Sequence, residues 1–89
     1  PMNIVTGDMS VYPNPVSDNS VHIAVTLENN MDIACSLYNL TGTVIQDKTL
    51  VGVQGFNDVQ FKFPSVAPGI YLLKVQYGNE IVNTKIVVN

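Results

Sequence analysis

Apolar and polar side chains alternate residue by residue along most of this chain. A period of two puts every second side chain on the same face, which suits a half-buried strand and not a helix. Val21, Ile23, Val25 and Leu27 alternate with His22, Ala24 and Thr26, and Glu28-Asn29-Asn30 then turns the chain. Ile33, Cys35 and Leu37 alternate with Ala34, Ser36 and Tyr38, and a further strand is expected over roughly Val44 to Leu50. Gly52 to Gly55 marks the next turn. Val59, Phe61 and Phe63 alternate with Asp58, Gln60 and Lys62 until Pro64, which cannot donate to a ladder. Tyr71, Leu73, Val75 and Tyr77 alternate with Leu72, Lys74 and Gln76. Past the short turn Gly78-Asn79-Glu80, Val82, Thr84, Ile86 and Val88 alternate with Asn83, Lys85 and Val87.

A short strand at about Met9–Tyr12 brings the expected number to seven. Turn signals recur every ~8–12 residues, the pattern of an antiparallel sandwich. The expected fold is therefore all-β, a seven-stranded antiparallel Ig-like β-sandwich. At 89 residues the chain has room for one domain, and a domain of this size buries only about 60–65% of its unfolded surface. Asn3–Asp8 reads as a linker and Pro1-Met2 as a cloning scar ahead of a start codon, so residues 1–8 are set apart from a domain over 9–89. No signal peptide and no membrane-spanning apolar run is found, so a secretion-linked reading implies a longer parent protein.

Apolar residues make up 46% of the chain and charged residues 12%, which is too apolar for disorder. The net charge is −3, and the four cations are Lys48, Lys62, Lys74 and Lys85, each on its own. Nucleic acid needs clustered cations to displace counterions, so it is excluded as a partner, as is a basic membrane-surface patch. Cys35 is the only cysteine, which leaves no intrachain disulfide and no cysteine-based metal site. Its place in an apolar strand suits a buried small hydrophobe.

Three motifs follow one another. Tyr12-Pro13-Asn14-Pro15 precedes the first long strand. Leu37-Tyr38-Asn39-Leu40-Thr41-Gly42 lies mid-chain, with Val44-Ile45 after it. Gly69-Ile70-Tyr71-Leu72-Leu73-Lys74-Val75 is third, and a strand containing Lys85 ends the sequence. Each alone is common. Together and in this order, from about Val11 to Asn89, they resemble the type A C-terminal sorting domains of the type IX (Por) secretion system. The mid-chain motif departs in one place: Asn39 stands where an Asp is often found, and either makes the same Asx turn.

The resemblance implies a route. The cargo, N-terminal to this domain in the parent protein, reaches the periplasm by its own signal peptide. The domain then docks on the outer-membrane translocon, and a sortase-like cysteine peptidase usually removes it. The cargo is released or joined to anionic lipopolysaccharide at the cell surface.

The motif residues also have structural readings. Pro13 and Pro15 fix φ near −65° and push the residues before them to extended conformations, making a stiff kink that removes two backbone donors. Gly42 supplies a positive φ to the mid-chain turn. Gly69 lets the chain bend near Tyr71, whose hydroxyl is expected to bond upstream backbone as in a tyrosine corner. Direct contact with the secretion machinery is the other reading of these positions. The last strand, including Lys85, Ile86, Val87 and Val88, is the best recognition candidate, because a sheet edge offers backbone groups to a partner. Lys74 belongs to the third motif, and Lys85 either guards the edge or meets an acidic translocon surface. On this reading, deleting Lys85–Asn89 blocks export while the rest stays folded. An uncovered edge would equally allow a dimer by strand pairing.

No catalytic residue is assigned. His22 is the only histidine and alternates outward, so Ser17, Ser20, Ser36 and Ser65 have no second histidine for a triad. The carboxylates Asp8, Asp18, Glu28, Asp32, Asp47, Asp58 and Glu80 read as scattered at turns and strand ends. No metal, cofactor or small-molecule ligand is expected. The alternative function is an Ig-like accessory domain that binds carbohydrate or a neighbouring protein on a secreted enzyme. Without tryptophan, and with the three Phe expected mostly in the core, only Tyr38 and Tyr77 would be exposed rings. A pilin-type or adhesin subunit would call for an incomplete sandwich, which seven strands do not match.

Overall fold

Alternation leaves each strand with one apolar face to bury, and two sheets facing each other bury all of them at once. The computed structural model, which describes residues 4–6, 9–13, 16 and 18–89, has this arrangement. The strands are β1 (Ile4–Thr6), β2 (Met9–Tyr12), β3 (Ser20–Leu27), β4 (Met31–Tyr38), β5 (Val44–Gly52), β6 (Gly55–Lys62), β7 (Gly69–Tyr77) and β8 (Glu80–Val88). Seven of them match the strands read from sequence. The eighth, β1, falls in the segment expected to be a linker and pairs antiparallel with β2.

One sheet has the order β1-β2-β3-β6 and the other β5-β4-β7-β8. The chain changes sheet between β3 and β4, between β5 and β6, and again between β6 and β7. All ladders between named strands are antiparallel. Val21, Ile23 and Val25 of β3 therefore face Ile33, Cys35 and Leu37 of β4 and Leu73 and Val75 of β7 across a core in which all are fully buried. Cys35 sits inside that core, and burial pushes its thiol up to about 12, so it stays protonated at neutral pH.

The mid-chain turn forms as its sequence requires. Asn39 Oδ1 accepts the backbone N–H groups of Thr41 (3.1 Å) and Thr43 (2.9 Å), and Gly42 takes φ +90°. An added Cβ at Gly42 would meet nothing within 4 Å, so glycine is needed there for its backbone angle and not for space.

Two placements differ from the sequence reading. Phe61 and Phe63 are buried, but Phe56 is 68% exposed, while its neighbour Asn57 is buried instead. Asp58, expected near a turn, stands within β6 and has partners on two other strands.

Candidate recognition surface

Register decides where the motifs go. Tyr12 pairs with His22 at one end of the first sheet. Tyr38 pairs with both Val44 and Leu72, and Gly69 pairs with Val88, at one end of the second. Val16 joins these two ends. It is fully buried, donates its N–H to the Val87 carbonyl at 2.7 Å, and accepts the Asn89 N–H at 2.8 Å. The chain just past Tyr12 thus crosses from the first sheet to the second and forms a parallel bridge with the end of β8. Tyr12 of the first motif, the mid-chain turn, the start of the third motif and the end of the last strand share one end of the sandwich.

Tyr12 points outward from the first sheet. Its hydroxyl donates to the Asp58 carboxylate, and its ring stacks on His22 with centroids 5.1 Å apart and planes 10° from parallel. His22 Nδ1 lies 3.2 Å from the other Asp58 oxygen. The Asp58 hydrogen bond, with smaller contributions from burial and from the carboxylate's charge, raises the Tyr12 pKa above its usual value. The three groups form a surface brace across β2, β3 and β6, holding the first motif to the sheet. Their exposure limits what such a brace adds to stability. Pro13 is half-buried, whereas Asn14 and Pro15 lie outside the described residues.

Tyr71 makes the corner expected of it. Its ring is buried, and its hydroxyl donates to the Ala67 carbonyl at 2.5 Å. Gly69 has φ +154°, a region that side chains avoid, and nothing lies within 4 Å of where a Cβ would stand. Tyr71→Phe should therefore lose one hydrogen bond and keep the packing, lowering stability by about 0.5–1.5 kcal/mol. A urea midpoint equal to that of the parent chain would show that the bond contributes nothing.

β8 lies at an edge of its sheet, and its residues divide by face. Ile86 and Val88 are buried, so no partner can touch their side chains without opening the core. Lys85 and Val87 stand on the outer face, as does Lys74 of β7, half-buried opposite Asn83. Val87 and Asn89 turn backbone groups away from β7 toward Val16, and alternation aims those of Ile81 and Asn83 to the same side. Among the described residues, Val16 makes the bridge on that side and no second strand pairs there.

No group of three or more histidine, cysteine, aspartate or glutamate side chains placed to hold a metal ion occurs among the described residues. Sequence reasoning missed three features here: the Tyr12–His22–Asp58 brace, the Val16 bridge and buried Asn57.

A family model described as a secretion system C-terminal sorting domain matches residues 10–89. The chain belongs to this family. It is a sorting domain of type IX secretion, and the resemblance read from the three motifs holds. Such domains act as secretion signals, and theirs is not an enzyme family. A sorting domain implies cargo N-terminal to it and export across the outer membrane, to the cell surface or the medium. No curated protein matches the chain.

Proposed function

We propose that the sorting domain is read by the type IX translocon at its motif-bearing end and along the edge of β8. The observation that carries this is the edge position of β8 in its sheet, with Ile81 and Asn83 presenting backbone groups outward. A partner that adds a strand there gains main-chain hydrogen bonds whatever the cargo's own sequence, as a shared address requires. Pairing between two copies would use the same groups, so a dimer through this edge competes with the translocon.

The later steps follow the family's route. The cargo enters the periplasm by its own signal peptide and crosses the outer membrane with this domain as its address. A sortase-like cysteine peptidase then removes the domain, and the cargo is released or attached to anionic lipopolysaccharide.

The test fuses Asn3–Asn89 to a periplasmic reporter in a host that has type IX secretion. Reporter should appear outside the cells and stay inside when a translocon component is deleted. Periplasmic retention in the intact host would overturn the proposal.

A further inference from the structure

The two outer faces of the sandwich differ in chemistry. On the β1-β2-β3-β6 sheet, polar groups satisfy one another: Tyr12 and His22 with Asp58, and Gln60 with Ser20 at 3.3 Å. On the β5-β4-β7-β8 sheet, the motif end breaks the alternation rule. Ile70 and Leu72 of β7 point outward, 43% and 41% exposed. Ile70 pairs with Val87, itself 36% exposed, and Leu72 lies between Tyr38 and Lys85. Side chains directly opposed on one face stand about 4.5–5.5 Å apart at Cβ, so these residues form one continuous apolar patch.

Charge on this face is sorted along the strands. Lys74 and Lys85, two of the chain's four lysines, flank the patch in a protein whose net charge is −3. Lys74 pairs with no carboxylate among the described residues. Asp47, across β4 from Lys74, is held by Ser36 at 3.4 Å, and Asp32 lies beyond it toward the other end. The patch is therefore apolar with a cationic rim.

We propose that this patch docks a protein surface whose apolar centre is bordered by carboxylates, on the partner that reads the sorting domain. The inference rests on the sorting function proposed above and adds a contact face to the β8 edge. Charge complementarity selects the occupant, because a carboxylate rim meets Lys74, whereas a second copy would bring the same lysine against it. The apolar side chains are half-exposed on a sheet face and do not project from it, which suits another folded surface and not insertion into lipid.

The experiment uses the reporter fusion in its type IX host. Ile70→Thr with Leu72→Thr places a β-branched, strand-favouring side chain at both positions while removing apolar contact. Lys74→Glu reverses the rim charge. Each should slow export by about tenfold or more, as loss of an interface anchor does, with urea midpoints close to the parent's. Phe56→Thr, an exposed apolar site at the other end of the sandwich, should export normally. A photo-crosslinking residue at position 72 should capture a translocon component through a peptide containing Asp or Glu.

Parent-like export of both patch variants would overturn the inference and leave the sorting function standing. Crosslinks at position 72 only to a second fusion molecule or to lipid would overturn it as well. Failure of the unmodified fusion to leave the periplasm would instead sink the sorting function itself. If the double substitution unfolds the domain, Lys74→Glu and the crosslink still decide.

Discussion

Removing Lys85–Asn89 should unfold the domain instead of merely silencing it. Ile86 is fully buried and Val88 is 4% exposed, so the deletion takes two residues out of the shared core. Burial of each stabilises by about 1.5–3 kcal/mol. The deletion also strips β7 of its β8 partners from Gly69 to Leu72 and leaves Val16 without its two backbone bonds to Val87 and Asn89. Small domains have about 5–15 kcal/mol in total, and one this size belongs toward the lower end. Far-UV circular dichroism and a urea titration should show no cooperative transition for the shortened chain. A cooperative transition with an unchanged denaturant slope would contradict this. The sequence reading expected the remainder to stay folded, because period two marks which residues face inward but not how much of a small core two of them supply. Export loss in the truncation therefore cannot separate recognition from folding, whereas substitutions at the outward residues can.

The faces of the strands were legible because alternation is a local property. So were the Asn39–Gly42 turn and the Tyr71 corner, which rest on contacts close in sequence. What joins distant strands was not. Tyr12 and Asp58 are 46 residues apart, and their contact depends on the registers of β2 with β3 and of β3 with β6. No residue near Tyr12 announces that partner. The Val16 bridge was hidden for the same reason, since nothing local says that the segment beyond Pro13 changes sheet. The outward patch was partly visible, because Ile70 and Leu72 fall on the polar phase of their strand. Its lysine rim appears only once β7 and β8 are aligned.

Asn57 shows period and chemistry in conflict, and Asn57→Ala should be the most damaging alanine substitution outside the apolar core. Extending the alternation of Val59 and Phe61 back along β6 puts residue 57 inside and residue 56 outside, while hydrophobicity argues the reverse. The register keeps the period, with Val25 opposite Asn57 and Thr26 opposite Phe56. Asn57 is tolerated inside because both ends of its amide are hydrogen-bonded. Its Oδ1 accepts the Val53 N–H at 2.9 Å, and its Nδ2 donates to the carbonyls of Val53 and Gly55 at 2.9 Å and of Val25 at 3.4 Å. One side chain thus closes the β5–β6 turn where the chain changes sheet. Alanine would leave these backbone groups without partners, at about 1–3 kcal/mol for each one that water cannot reach. A loss of about 3 kcal/mol is expected, or roughly 12–24 °C in Tm for a domain this small. Asn57→Asp separates hydrogen bonding from shape. At neutral pH it should be worse than alanine, placing a charge among carbonyls. The site raises that carboxyl's pKa, so the variant should regain stability as pH falls and the new side chain acquires a proton to donate. An alanine variant that melts with the parent, or an aspartate variant that does not respond to pH, would mean the turn is held by its own backbone.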